Sequence, residues 1–259
     1  MKSATHKVLH PIAGRPMIEH LMASLAELKP ERTVLVVGDL RDQLEKQLAG
    51  RADFAMQEPQ LGTGHAVQQA QAALEGFEGD VLVLYGDVPF VSAETMRALV
   101  DRLHGQGEPA AVVLAFEPEH PLNYGRVIAD GDRVVWMVEH KDANEAQRAC
   151  RLCNSGLLAA RAEVLFELLG KVGNDNAQGE YYLPDVINIA IDQGRTCAVI
   201  VTNDPDEVAG INSRACCQRA SASASSARLL MPATSSGSLV TITAQVRPWS
   251  MAMLTTSGR

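Results

Sequence analysis

No apolar run in this 259-residue sequence reaches the length of a membrane span, and no basic-then-apolar leader with a cleavage site opens the chain. No membrane partner is expected, and the expected location is cytoplasmic. Cysteine is scarce: Cys150, Cys153, Cys197, Cys216 and Cys217 form an odd set, late in the chain and without a ladder of spacings. That excludes a disulfide scaffold and fits a reducing compartment. Cys150 and Cys153 have CxxC spacing, but no second pair follows, so zinc is not expected. Positive charge is also short. Against 31 Asp and Glu stand 23 Lys and Arg, a net charge of −8, which excludes general binding to a nucleic-acid backbone. Any phosphate held here must be met locally, by a metal ion or a few placed donors. What the sequence does have is apolar content, 46% hydrophobic residues, enough for one large domain or two small ones with a buried core.

Charge is unevenly spread. Residues 215–259 contain four Arg and no Asp, Glu or Lys, together with nine Ser and five Thr. One alternating stretch there, Leu239-Val240-Thr241-Ile242-Thr243, reads as a strand in isolation with no evident partner. No hexapeptide or other internal repeat is visible. The expectation is an ordered domain over 1–214 and an anomalous low-complexity tail over 215–259, disordered or not selected to fold.

Residues 1–214 alternate between strand and helix patterns. Ile18, Leu21, Met22, Leu25 and Leu28 follow Pro16 at helical spacing. Thr33–Val37 and Asp80–Tyr85 are short apolar runs that read as buried strands, with helices over 40–49 and 64–75 and a strand ending near Gln57 between them. Ser92 caps a helix over 93–104, and Ala110–Phe116 is another strand. This order implies an α/β domain with a largely parallel sheet, whose ligands gather beyond the carboxyl ends of the strands. Over 123–160 the pattern shifts to strands without intervening helices (125–129, 133–139, 152–159), which suits a smaller antiparallel region laid over the site. Helices near 161–170 and 182–192 and a strand at 196–202 complete the ordered part.

Three segments could carry chemistry. In Tyr85-Gly86-Asp87-Val88-Pro89 a carboxylate directly follows a buried strand, where it is rigidly held. Asp87 is there either a hard oxygen ligand suited to Mg²⁺ or an ordinary strand-ending turn residue, and Gly86 lets a ligand approach the backbone. In Gln57 to Ala66, two glycines and Thr63 lead into a helix whose free N–H groups face an anion or a base edge, or the segment is simply a loop with Thr63 as N-cap. His65 reads as a packing or surface histidine. Asn212, in Gly210-Ile211-Asn212-Ser213-Arg214, offers a neutral carbonyl oxygen as a second ligand beside Asp87.

Taken in order, Lys7-Val8-Leu9-His10, Gln60 to Ala66, Leu84 to Pro89, Asn123-Tyr124-Gly125-Arg126-Val127, Val138 to Ala143, Asn154-Ser155-Gly156 and Asn176 to Tyr182 closely resemble the N-terminal uridylyltransferase domain of the GlmU family, bifunctional bacterial enzymes that make UDP-N-acetylglucosamine. The resemblance runs from about residue 1 to 214. It implies a doubly wound, Rossmann-like nucleotidyltransferase fold with a small antiparallel sugar-binding lobe. It also implies a Mg²⁺-dependent transfer of UMP from UTP to N-acetylglucosamine 1-phosphate, in peptidoglycan and lipopolysaccharide precursor synthesis. By the family pattern Asp87 and Asn212 bind Mg²⁺, and Lys7 offsets phosphate charge. Gln57, Gly62 and Thr63 line the uridine pocket, Tyr85 and Gly86 border the same nucleotide, and Gly125, Glu139 and Asn154 contact the amino sugar.

The sequence also departs from that pattern. The family opens with a buried strand and a Gly-rich loop that cradles the triphosphate, and Met1 aligns with the last residue of that motif. A central strand is therefore expected to be missing, leaving a gap in the core. His6 stands where the family has Pro. After Arg214 the family continues into a helical linker and a hexapeptide-repeat domain that trimerises. Neither is visible here, so the family trimer is not expected, and a shifted reading frame after about Ala215 would account for the tail. The alternative to the enzyme is an inactive remnant that binds UDP-sugar weakly.

Overall fold

The computed structural model describes residues 4–38, 40–211 and 240–245. A two-strand hairpin, β1 (Pro11–Ile12) and β2 (Arg15–Pro16), leads into α1 (Met17–Ala26). The chain then alternates through β3 (Arg32–Val37), α2 (Arg41–Gln47), β4 (Asp53–Met56), α3 (Thr63–Gln69), β5 (Asp80–Tyr85), α4 (Ala93–Leu103) and β6 (Ala111–Phe116). Next come β7 (Arg126–Asp130), β8 (Arg133–Val138), α5 (Glu145–Ala149), β9 (Cys153–Arg161), α6 (Ala162–Leu169), α7 (Asp185–Asp192), β10 (Cys197–Val201) and, far along the chain, β11 (Val240–Gln245). Nearly all of these fall where the hydrophobic periods put them. One helix is additional: α5 interrupts the 123–160 stretch read as strands alone, started by a capping box in which Asn144 and Gln147 satisfy each other's backbone N–H.

The sheet is covered on both faces, as the unbroken apolar runs of β5 and β6 require. Alternate residues divide between two cores. Leu35, Val37, Leu82, Leu84, Val112 and Leu114 pack with α1 and α4. Val34, Val36, Val81, Val83, Val113 and Ala115 pack with α3, α6 and α7. Leu35 and Leu84 are fully buried, each stabilising the fold by about 1.5–3 kcal/mol. This is the doubly wound arrangement expected.

The large sheet has nine strands in the order β4-β3-β11-β5-β9-β6-β10-β8-β7. The α/β strands β3, β4, β5, β6 and β10 run in one direction, while β9 and β11 are reversed within them. Two expectations are corrected here. The antiparallel pair β7–β8 is not a separate layer but the edge of the same sheet, joined through Ala198–Arg133 and Arg126–Cys153. The expected central gap is filled: β11 lies antiparallel between β3 and β5, with Val240 opposite both Val36 and Tyr85. The stretch around Ile242, read as a strand without a partner, thus has two. Main-chain hydrogen bonds join it to strands far away in sequence, and those bonds leave no mark in its own residues. The remainder of the 215–259 tail lies outside the described residues, as do Cys216 and Cys217.

Candidate active site

β5 ends in a turn closed by the Val88 N–H donating to the Tyr85 carbonyl at 3.0 Å. The turn buries Gly86 and Asp87 at the sheet's carboxyl edge. Asp87 is only 7% exposed, and its Oδ2 accepts from the Lys7 ammonium at 2.6 Å. Lys7 lies in a single 3₁₀ turn, Lys7–Leu9, anchored by buried Val8. The two residues expected to manage phosphate charge therefore meet. Asn212, the expected second metal ligand, lies outside the described residues. Its neighbour Ile211 is described, and the Ile211 N–H donates to the Asp87 carbonyl at 2.8 Å.

A cavity of about 280 Å³ opens beside this pair, lined by Thr63, Tyr85, Asp87, Gly125, Glu139 and Asn154 among others. Six expected residues from five separate segments thus share one cavity. The sheet edge explains three of them. Gly125 precedes β7, Glu139 follows β8 and Asn154 lies in β9, where Arg126 is opposite both Val138 and Cys153. The Asn154 N–H donates to the Gly125 carbonyl at 2.9 Å, and a Cβ on Gly125 would come within 3.3 Å of both Glu139 carboxylate oxygens.

Gln57 and Gly62 belong to the neighbouring wall. Gln57 is buried and donates through Nε2 to the Gly62 carbonyl at 2.9 Å. Gly62 has φ +111°, and a Cβ there would strike the Tyr181 carbonyl at 2.6 Å, so glycine alone fits. Thr63 Oγ1 accepts from the Leu183 N–H at 3.0 Å and hydrogen-bonds Tyr85. Tyr85 in turn packs where Gly156 (φ +89°) leaves room, since a Cβ at 156 would lie 2.6 Å from its ring. His65 sits within hydrogen-bonding distance of Gln57 and Gln69.

Electrostatically the cavity has two ends. Burial pushes the Glu139 carboxyl up to about 7, helped by the charges of Asp185, Asp142 and Glu180. Burial and Asp142 raise Asp185 to about 6. Burial likewise raises the Tyr85 phenol, against the opposing hydrogen bond from Thr63. This crowded acidic end offers hydrogen-bond acceptors with Lys141 beside them, while Lys7 pairs with Asp87 next to the cavity. Sequence reasoning assigned no roles to Lys141, Gln178, Glu180 or Tyr182, which also line the cavity. Their signal lay in two of the motifs quoted, the stretches around Glu139 and around Glu180. Among the described residues no group of three or more His, Cys, Asp or Glu side chains forms a metal cage, and no helix is long and apolar enough to cross a membrane.

A family model, the MobA-like NTP transferase domain, matches residues 1–151. The chain is 73% identical over 214 residues to a bifunctional protein GlmU from Novosphingobium aromaticivorans, covering 83% of this chain and 48% of that protein. It is 68% identical over 215 residues to the corresponding protein of Sphingopyxis alaskensis, with the same coverage. The chain thus spans about half the length of the curated relatives it matches. In fold it is similar to a putative glucose-1-phosphate thymidylyltransferase from Bacillus anthracis solved with sucrose (TM-score 0.65, 16% identity, 89% of this chain and 91% of that one). It is likewise similar to a UDP-glucose pyrophosphorylase complexed with UDP-glucose (TM-score 0.61, 19% identity, 85% and 90% covered).

Proposed function

From a chain that belongs to the MobA-like NTP transferase family, we propose a uridylyltransferase that transfers UMP from UTP to N-acetylglucosamine 1-phosphate and releases pyrophosphate. The observation that carries this reading is the two-ended cavity, with the Asp87–Lys7 pair at one end and Gly125, Glu139 and Asn154 at the other. High identity to bifunctional GlmU proteins supports the choice of nucleotide and sugar.

In the proposed reaction a phosphate oxygen of the sugar 1-phosphate attacks the α-phosphorus of UTP in line. The new P–O bond forms as the bond to the bridging α–β oxygen breaks, and pyrophosphate leaves with that electron pair. No covalent enzyme intermediate is needed, so catalysis is positioning plus charge neutralisation. Lys7 offsets negative charge on the phosphates. Gln57, Gly62 and Thr63 border the uridine, with Tyr85 and Gly86 against the nucleotide. Glu139 and the Asn154 amide accept and donate hydrogen bonds to sugar hydroxyls and the acetamido group, with Gly125 giving close backbone approach.

The residues fit a divalent cation. Asp87 is a lone hard carboxylate on a rigid turn that already faces a cation, and a Mg²⁺ ion keeps several waters and substrate oxygens instead of demanding a protein cage. Asp87 would hold it together with Asn212, and when bound it would polarise the phosphates and neutralise developing charge.

The test is pyrophosphate release with UTP, Mg²⁺ and N-acetylglucosamine 1-phosphate. Turnover is expected, and Asp87→Ala is expected to lower kcat by about 10²–10³-fold, the range for losing one electrostatic group. A folded preparation that binds UDP-sugar without turnover would make the chain a binding remnant instead.

A further inference from the structure

Arg126 opens β7 at the point where Val138 of β8 and Cys153 of β9 both lie opposite it. The residue is only 3% exposed. A guanidinium held there is unfavourable, because burial strips away its water and leaves five N–H donors to satisfy. Among the described residues its partners are carbonyls and not carboxylates: Nη1 donates to the Tyr124 carbonyl, and Nη2 donates to the Leu122 carbonyl at 3.2 Å. Its Nε is buried without a hydrogen-bond partner among the described residues. For stability alone, an apolar side chain would serve this position better.

Both carbonyls belong to one loop, which walls the cavity beside Glu139 and Asn154 through Asn123, Tyr124 and Gly125. The shape of that loop needs holding. Leu122 has φ +37°, a left-handed backbone unusual for leucine, and it is 51% exposed, so packing does not pin it. Tyr124 is fixed by an edge-on contact with Phe116, ring centroids 4.8 Å apart, and by its N–H donating to the Pro121 carbonyl at 3.2 Å. Leu122 gains its hold from Arg126. Two bonds from one rigid, planar guanidinium set the spacing of the carbonyls on either side of Asn123.

We infer that Arg126 is a positioning residue for the sugar phosphate: its buried guanidinium clamps the Leu122 and Tyr124 carbonyls and so sets where Asn123 and Gly125 meet the sugar. Arg126 does not itself line the cavity and acts only through the backbone it holds. The inference rests on the uridylyltransferase reading for the identity of the ligand, whereas the clamp is a property of the loop. Lysine, a point charge without the planar fork, keeps the cation but not the paired grip.

The test compares the full wild-type chain with Arg126→Lys and Arg126→Met in the pyrophosphate-release assay. KM for N-acetylglucosamine 1-phosphate is expected to rise about threefold in Arg126→Lys and about tenfold in Arg126→Met, as losing one and then both loop bonds would produce. KM for UTP is expected to stay within about twofold of wild type in both, because the nucleotide contacts lie on other segments. Unchanged KM for the sugar phosphate in a folded Arg126→Met overturns the proposal, and so does an equal rise for both substrates. If Arg126→Met does not fold, Arg126→Lys decides by the same criteria. A wild-type chain that binds without turnover defeats the uridylyltransferase reading alone, and Kd for N-acetylglucosamine 1-phosphate by calorimetry then replaces KM. Amide hydrogen exchange tests the clamp without any ligand. The Tyr124 N–H and the Asn154 N–H, which the Gly125 carbonyl accepts, are expected to exchange at least about tenfold faster in Arg126→Lys while β6 keeps its protection. Unchanged exchange at both amides overturns the proposal whatever the chain binds.

Discussion

Glu139 sits in an environment far from what its type suggests. Its carboxyl is held near 7 against a usual 4.5, because burial and three neighbouring carboxylates all oppose its ionisation. The folded state therefore binds this proton more tightly than the unfolded chain does, and stability falls as pH rises from about 4.5 to 7. Glu139→Gln removes that cost. The variant is expected to be about 1–3 kcal/mol more stable than wild type at pH 8, with the difference vanishing by pH 4, as read from urea unfolding at both values. The same change removes a hydroxyl acceptor, so the KM for sugar phosphate is expected to rise about tenfold and to lose its dependence on pH around 7, as a net loss of about 1.4 kcal/mol would produce. The carboxylate's presence in the cavity accords with the family pattern read from the sequence. Its displaced titration was not legible there, because Asp185 lies 46 positions away along the chain and is brought near only by the fold.

Among the elements, α4 shows how local chemistry starts a helix at the right place. The Ser92 hydroxyl accepts from the Thr95 N–H at 3.1 Å, Glu94 lies in the first turn, and the Ser92 N–H is itself taken by Glu207 at 2.6 Å. Ser92→Ala is expected to cost about 1 kcal/mol of unfolding free energy in urea titrations, the usual value of such a cap. Helix α3 is shorter than its apolar pattern predicts. The chain tightens into a 3₁₀ turn at Ala72–Leu74, and Arg32 donates to the Ala73 carbonyl at 2.9 Å, holding that turn in place. Strands such as β3, β5 and β6 were legible because each is a short apolar run with β-branched residues. β11 was legible as a strand for the same reason, yet its neighbours were not.

At the scale of the molecule, the proposed reaction requires a chain of net charge −8 to meet a polyanionic nucleotide. In that reading the carboxylates around Glu139 repel phosphate, and Lys7, Lys141 and a bound cation would attract it. UTP binding measured by calorimetry is therefore expected to vanish in EDTA and to return with Mg²⁺. Ionic strength alone is expected to substitute poorly, since screening weakens repulsion without supplying an oxygen-coordinating ion.

The sequence by itself determined the periods that make each helix and strand, the apolar faces that bury them, and the strand-end positions of Asp87, Glu139 and Asn154. Those are properties of neighbouring residues, written within a few positions of one another. Only the tertiary structure decided that β11 stands reversed within the sheet, that Lys7 reaches Asp87, and that three other carboxylates act on Glu139. Strand pairing is made by backbone groups common to every residue, and electrostatic crowding by charges distant along the chain. Neither is recorded in any local pattern, and both appear only once the chain has folded back on itself.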